Sequence, residues 1–175
     1  MSQNITCRPF IAEDAEAVAV VARAAWAWTY AGIFAPATSA QFVATHYAPE
    51  RLRALAPAVA ASRLVFDLAL DDETVVGFCN LGPSAAGAEL YRIYLLPAYV
   101  RKGIGAALLA RGEVFLRTQG FTTYHCFVHC ANQRGQQFYA RQGFHRMPQR
   151  DREDEWCLEK SLAELLSTAP EVSER

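Results

Sequence analysis

The chain has 175 residues, a formal net charge of −1, 52% apolar residues and 20% charged residues. That balance is typical of a single globular domain, and it provides no basic surface of the kind that binds nucleic acid or an anionic membrane. No apolar run approaches the ~20 residues that cross a membrane, and Met1–Asn4 lacks the features of a signal peptide. The cysteines are five, an odd number, which favours reduced thiols in a cytoplasmic protein over a disulfide framework.

The first half of the chain predicts a strand, helices and a hairpin. Apolar residues recur at helical spacing after Glu13 and Asp14, whose acidic charge suits the positive end of a helix. Two strand-like segments flank the polar turn at 71–73, which is typical of a β-hairpin. In chain order the elements are a strand over 5–10, a helix from Glu13 to the aromatic cluster before Gly32, a helical region over 39–60 interrupted before Pro49, strands over 63–70 and 74–81, and a loop over 82–87.

The second half predicts alternating strands and helices. Its elements are a strand over 88–96, a helix over 103–118, a strand over 122–130, a helix from Asn132 to Gln142, and two closing strands over 144–147 and 155–160. A strand–helix–strand unit over 88–130 implies a right-handed crossover between parallel strands, whereas the hairpin is antiparallel. The sequence therefore predicts an α/β fold with a mixed central sheet of about six to seven strands and helices on both faces. We expect a single domain over residues 1–167 and a frayed tail over 168–175.

A glycine turn joins the strand over 88–96 to the helix that follows it. Gly103 and Gly105 lack a Cβ, and Arg101 and Lys102 place positive charge beside the first N–H groups of the helix. Such a turn binds phosphate groups, although two glycines alone are equally consistent with tight packing. A dinucleotide fingerprint is disfavoured because Leu108 stands where its third glycine belongs, and the P-loop pattern is absent from the sequence.

Two motifs in this order resemble the GNAT family of N-acetyltransferases. The segment RKGIGAALL over 101–109 is similar to the family's acetyl-CoA-binding motif, and NQRGQQFYARQGF over 132–144 is similar to its later Asn…Phe-Tyr…Gly-Phe signature. Residues 26–33 resemble the acceptor-side helices of many small-molecule members, and the element order agrees over about 5–162. The resemblance implies the GNAT acyl-CoA N-acyltransferase fold and acetyl-CoA as co-substrate. One departure is Val100, which replaces the Gln or Arg that begins the family motif, so we expect only its backbone N–H to contribute.

The resemblance also implies which residues hold acetyl-CoA. The thioester carbonyl and the pantetheine amides would contact main-chain groups of the fourth strand near a bulge, and the pyrophosphate would contact the N–H groups of the glycine turn. Asn132 would add a polar contact to its ordinary role as a helix cap. The predicted cofactor-binding residues are Tyr94, Leu95, Leu96, Arg101, Lys102, Gly103, Ile104, Gly105, Ala106, Asn132 and Tyr139.

Two residues are candidates for acid–base chemistry by the same resemblance. Tyr139 stands where the family places the general acid that protonates the departing thiolate, although its spacing alone is also typical of an aromatic core residue. Glu89 stands on the strand where several members place a general base, although an exposed strand carboxylate is an equally good interpretation. Tyr91 and Tyr94 offer a water wire as an alternative, and a partly deprotonated amine needs no dedicated base.

An aromatic cluster and one histidine are candidates for the acceptor site. Trp26, Trp28, Tyr30 and Phe34 fit a hydrophobic core, and the resemblance makes their region one wall of the acceptor site. Such a wall suits an amine with an apolar or flat body, or a cationic amine. The predicted substrate-binding residues are Trp26, Tyr30 and His129.

The sequence HCFVHC over 125–130 raises the question of a zinc site. Strand alternation places His125 and His129 on one face and Cys126 and Cys130 on the other, so a regular strand does not aim all four at one ion. We therefore predict no metal site.

The activity implied by the resemblance is transfer of an acetyl group from acetyl-CoA to a primary amine of a small molecule by direct attack in a ternary complex. Two alternatives stay open: acetylation of a protein N-terminus or lysine, for which the near-neutral charge gives no docking patch, and a non-catalytic acyl-CoA-binding module. We expect a small-molecule amine as partner, neither nucleic acid nor membrane, and the family resemblance allows a homodimer.

Overall fold

The structure is a computed structural model and describes residues 4–163. The strands are β1 (Ile5–Pro9), β2 (Val65–Asp71), β3 (Thr74–Ser84), β4 (Gly87–Leu95), β5 (Thr123–His129), β6 (His145–Arg146) and β7 (Glu155–Ser161). The α-helices are α1 (Ala15–Thr29), α2 (Pro36–His46), α3 (Pro49–Arg53), α4 (Ala56–Ala60), α5 (Ile104–Thr118) and α6 (Gln133–Arg141). The tail predicted over 168–175 lies outside the described residues.

All seven strands form one sheet in the order β1-β2-β3-β4-β5-β7-β6. β4 and β5 are parallel, and every other neighbouring pair is antiparallel. α5 makes the crossover between the two parallel strands, as the strand–helix–strand pattern predicts. The predicted mixed sheet is confirmed.

The sheet has a hydrophobic core on each face. On one face, Leu108 and Leu116 of α5 pack with Leu90 of β4 and Val128 of β5, and Tyr139 of α6 packs against the same core. On the other face, Val18 and Trp26 of α1 pack with residues of α2, α3, β2 and β3. Helices therefore cover both faces of the sheet.

The structure differs from the sequence prediction at two places. β3 continues through Gly82 and Pro83 to Ser84, where a loop over 82–87 was expected, because the register with β4 resumes beyond an irregularity at Asn80. The region predicted as a helix over 39–60 consists of three helices. Prolines stand in the first turns of all three, at Pro36, Pro49 and Pro57, and each favours a helix start.

Among residues 4–163, the helices are all too short or too polar to cross a lipid bilayer.

Candidate active site

A gap opens between β4 and β5. Among the described residues, β4 and β5 pair at one position, Glu89 with His125. β4 nevertheless runs on to Leu95 and β5 to His129. Past their single pair the two strands share no ladder of hydrogen bonds, so they diverge and leave a slot that opens toward the glycine turn.

A β-bulge lies in β4 beside this gap. Asn80 and Leu81 of β3 pair with Arg92 and Leu90, which leaves Tyr91 as an extra residue on β4. The Tyr91 hydroxyl donates to the Pro83 carbonyl at 2.6 Å, so this side chain is tied to β3.

Among the three residues predicted to hold pantetheine, Leu95 turns its main chain toward the gap. The Leu96 N–H donates to the Val76 carbonyl at 2.8 Å, and the Tyr94 carbonyl oxygen lies against Gly77. Because successive residues of a strand direct their N–H and C=O groups to opposite edges, the main chain of Leu95 faces β5. The main-chain role predicted for Tyr94 and Leu96 is therefore corrected, since both serve the pairing with β3.

The glycine turn forms a concave set of N–H groups at the start of α5. Arg101 and Gly103 both have left-handed backbones, with φ of 66° and 81°. The first hydrogen bond of the helix runs from the Ala107 N–H to the Gly103 carbonyl at 3.0 Å, and the N-cap residue Gly103 offers no side-chain cap. The preceding N–H groups of the first turn therefore have no acceptor within the helix, and such an arrangement binds anions. This set consists of the N–H groups of Ile104, Gly105 and Ala106.

The two glycines of the turn are needed for different reasons. A Cβ on Gly103 would meet no protein atom within 4 Å, so this position requires glycine for its left-handed φ and for open space. A Cβ on Gly105 would stand 3.2 Å from the Phe138 ring, so this glycine lets α5 pack closely on α6. The sequence left ligand approach and tight packing open for both glycines, and the contact with Phe138 supports packing as one reason for Gly105.

The residues around the turn fix its position. The Val100 N–H donates to the Pro97 carbonyl at 3.3 Å, which corrects the expectation that this group contacts a phosphate. The Tyr99 hydroxyl donates to Asp71 at 2.8 Å and ties the turn to the β2–β3 hairpin. Lys102 places its ammonium 5.0 Å from the centre of the Tyr99 ring, while Arg101 is exposed. Two cationic residues thus directly precede Gly103, and their role in binding a phosphate stays a prediction.

Tyr139 projects from α6 toward the gap. Its hydroxyl lies beside the thiol of Cys126 on β5, and its ring packs edge-on to Phe144 at 5.2 Å. Burial, and then the neighbouring Cys126, raise the pKa of Tyr139 well above the ordinary tyrosine value, with Tyr30 adding to the effect. The phenol is therefore protonated at neutral pH and available as a proton donor. The sequence did not connect Cys126 with Tyr139.

Asn132 is the N-cap of α6. Its side-chain oxygen accepts from the Gly135 N–H at 3.0 Å, and its side chain lies near the Tyr30 hydroxyl. The residue is buried. The predicted capping role is confirmed, and the same side chain links α6 to the end of α1.

Glu89 and His125 meet at the closed end of the gap. Glu89 Oε2 lies 3.7 Å from His125 Nε2, and the Glu89 side chain is 21% exposed. Burial raises the pKa of Glu89, an effect that Arg152 opposes and Glu155 reinforces. Burial, and then the charge of Arg150, lower the pKa of His125. A carboxylate with a raised pKa accepts a proton more readily, which suits a general base.

Three aromatic residues form a wall on the other face of the sheet. Trp26 lies 4.1 Å from Tyr30 and 6.5 Å from Phe34 between ring centres, and the His129 ring meets Phe34 edge-on at 5.0 Å. The structure therefore brings together the three residues predicted for the acceptor, Trp26, Tyr30 and His129. We call the set of Trp26, Tyr30, Phe34 and His129 the aromatic wall.

Trp28 does not belong to this wall. The Arg134 guanidinium stacks 4.1 Å from the Trp28 ring centre and donates to the Trp28 carbonyl at 3.1 Å. Two residues along a helix correspond to about 200°, so Trp28 faces away from Trp26, whereas Tyr30 at i+4 lies beside it. The helical spacing contained this information, and the sequence interpretation did not use it.

Tyr47 is a site neighbour that the sequence interpretation missed. The Tyr94 hydroxyl lies near those of Tyr30 and Tyr47, and Trp26 Nε1 donates to the Tyr47 hydroxyl at 3.4 Å. Arg92 lies 4.9 Å from the Tyr47 ring centre. Burial raises the pKa of all three tyrosines, so this network holds neutral hydroxyls behind the wall.

The histidines and cysteines of β5 do not converge. His125 pairs with Glu159 and Cys126 with Leu158 on β7, so the two neighbours stand on opposite faces. Within residues 4–163, no group of three or more His, Cys, Asp or Glu side chains is placed to hold a metal ion. All five cysteines are free thiols.

Comparisons with known proteins agree with this geometry. The model of the Acetyltransferase (GNAT) family matches residues 26–144. Spermidine N(1)-acetyltransferase from Thermoplasma acidophilum is 34% identical over 142 residues, which cover 81% of this chain and 88% of that protein.

Solved structures show the same fold. The crystal structure of PaiA N-acetyltransferase from Thermoplasma acidophilum in complex with coenzyme A has a TM-score of 0.86 at 33% identity, covering 92% of this chain and 99% of that chain. An acetyltransferase of the GNAT family from Staphylococcus aureus, at 14% identity and a TM-score of 0.72, covers 91% of this chain and 100% of that chain and shares the fold alone. The chain belongs to the GNAT family of acetyltransferases and is an acetyl-CoA-dependent N-acetyltransferase.

Proposed function

We propose that the protein acetylates a primary amine of a polyamine such as spermidine by direct attack on acetyl-CoA. One observation carries this proposal: the gap between β4 and β5 lies next to the aromatic wall. Such a wall suits a cationic chain. The relative named as a spermidine N(1)-acetyltransferase, which aligns over most of both chains, supports the same acceptor class.

The residues of the gap fit acetyl-CoA, which supplies the thioester. The pyrophosphate would lie on the N–H groups of Ile104, Gly105 and Ala106, with Arg101 and Lys102 adding charge. Leu95 would hold the pantetheine arm through its main chain, since its N–H and C=O face the gap. These are the contacts that an anionic, extended ligand needs.

Glu89 and Tyr139 would handle the two protons. Glu89 takes a proton from the acceptor ammonium, which frees the nitrogen lone pair to form the new N–C bond. The C–S bond breaks, and Tyr139 gives its hydroxyl proton to the leaving sulfur. The nitrogen that has attacked carries one surplus proton, which it loses as the amide forms and which replaces the proton that Tyr139 gave up. The proton held by Glu89 passes to solvent, so the sum is an acetylated amine, a free thiol and one released proton.

Free-thiol release over a panel of acceptors tests the proposal. Spermidine and other polyamines are expected to give the highest kcat/KM, ahead of amino acids, aminoglycosides and peptides. Faster turnover of peptides would replace the small-molecule acceptor with a protein one. Acetyl-CoA binding without any acceptor-dependent thiol release would instead support a non-catalytic binding module.

A reducing, cytoplasmic compartment fits the five free thiols and belongs to the same proposal. The homodimer that the family resemblance allows stays a prediction.

A further inference from the structure

Glu155 stands at the edge of the aromatic wall. It is the first residue of β7, and its register partner on β5 is His129. Partners on antiparallel strands point to the same face with Cβ atoms ~5 Å apart. Because the His129 ring meets Phe34 edge-on at 5.0 Å, the Glu155 carboxylate shares the face on which the acceptor wall lies.

The charge of Glu155 acts on two separate parts of the proposed acceptor site. Burial is the main reason that the pKa values of Tyr30 and Glu89 are raised, and Glu155 contributes to both shifts. Glu155 therefore lies within electrostatic range of the wall and of the proposed base, which are separate elements of the site.

Glu155 has only a loose partner in the described part of the chain. Its Oε2 lies 3.8 Å from Arg152, and its side chain is 43% exposed. The Arg152 guanidinium is stacked 3.4 Å from the centre of the Phe127 ring, which keeps it in place whether or not Glu155 is beside it. A cation at Glu155 would thus displace a weak ion pair rather than a tight one.

An aromatic wall with a carboxylate at its edge is a site for an ammonium group. We infer that Glu155 binds a second ammonium group of the acceptor while the first is acetylated, and so selects polycationic amines over monoamines. This inference rests on the proposed function, since it assigns a specificity-determining residue to the same acceptor site.

Paired acceptors of equal length test the role of Glu155. 1,4-Diaminobutane and n-butylamine differ in one ammonium group, and spermidine adds a third. In Glu155→Gln, KM for the diamine and for spermidine is expected to rise roughly tenfold, because a charge-assisted contact is lost. At a pH where Glu89 is deprotonated in both proteins, kcat, and kcat/KM for n-butylamine, are expected to stay within about twofold of the wild type, since no contact to the reacting nitrogen changes.

Glu153→Gln is the matched control, because it removes the same charge from an exposed residue two positions away. It is expected to leave all three KM values unchanged. Glu155→Lys adds a second readout and is expected to raise KM for the diamine further than Glu155→Gln.

Three results would overturn the inference. They are a wild-type enzyme that does not prefer the diamine to n-butylamine, a Glu155→Gln variant that changes both amines equally or neither, and a Glu153→Gln variant with the same effect. A wild-type enzyme that acetylates no amine at all is a different result, because it would refute the proposed function itself.

Discussion

The hydroxyl of Tyr139 on α6 lies beside the thiol of Cys126 on β5, close enough for each group to shift the pKa of the other. Burial raises the pKa of the Cys126 thiol, so its sulfur is neutral at physiological pH. The phenol therefore already lies next to a sulfur atom, and a leaving thiolate would be a stronger acceptor of its proton than this neutral thiol. This contact gives a geometric reason to assign the general acid to Tyr139.

Tyr139→Phe is expected to lower kcat by roughly 100-fold, which is within the range for loss of a general acid. The affinity for acetyl-CoA is expected to stay within about twofold, because the ring and its packing on Phe144 remain. Steady-state kinetics with spermidine and calorimetric titration with acetyl-CoA measure the two quantities.

Tyr124→Phe is the control for this prediction. Tyr124 belongs to the same core, and its hydroxyl donates to Glu113 at 2.6 Å, away from the gap. Loss of that hydroxyl is expected to reduce stability without lowering kcat. Equal kcat values for Tyr139→Phe and the wild type would remove Tyr139 as the acid.

The sequence predicts the elements of this fold well where periodicity and turn residues agree. The helix over 103–118 differs from α5 by one residue at its start, and Gly120 beyond its end has the left-handed φ of 82° that ends a helix. The parallel pairing of β4 and β5 follows from one crossover rule. The glycine turn proposed to bind acetyl-CoA could be located in the sequence because its glycines and basic residues are contiguous.

Contacts between distant segments could not be predicted. Glu155 reaches the aromatic wall because it is in register with His129, and strand register depends on tertiary packing. The contact between Cys126 of β5 and Tyr139 of α6 also depends on tertiary packing, which the sequence does not specify. The Val100 N–H was expected to contact a phosphate, but it donates to the Pro97 carbonyl of the short helical turn at Pro97–Tyr99. The motif does not specify this local hydrogen bond.

Glu89 gives the enzyme a predictable pH dependence. Burial raises the pKa of Glu89, and a general base acts only when deprotonated, so kcat at saturating spermidine and acetyl-CoA should fall as the pH drops through that raised pKa. The pH at which kcat has fallen to half of its maximum is expected to lie above 4.5, the ordinary pKa of a glutamate. Glu89→Gln should lower kcat by roughly 100-fold and abolish this limb. An identical acid limb in the variant would exclude Glu89 as the base.

Glu113 is expected to be a main determinant of stability outside the site. It is buried on α5, where it accepts from Tyr124 at 2.6 Å and lies 2.5 Å from the Lys160 ammonium. Glu113→Ala leaves both partners without their acceptor and should lower the free energy of unfolding by about 3 kcal/mol, as measured by urea denaturation. Glu113→Gln keeps one acceptor oxygen and should cost less, and a loss below about 1 kcal/mol in the alanine variant would contradict the prediction.

Two glycines allow backbone strain to be separated from acetyl-CoA binding. Gly103 and Gly120 flank α5 with φ of 81° and 82°, and a Cβ at either position would meet no protein atom within 4 Å. Alanine at each site should therefore lower stability by a similar amount, about 1–2 kcal/mol, because both require a left-handed backbone. Only Gly103→Ala should also weaken acetyl-CoA binding, by roughly tenfold, since only this turn presents N–H groups to the pyrophosphate. Thermal unfolding and calorimetric titration of both variants give the comparison, and equal affinities in the two would place the pyrophosphate elsewhere.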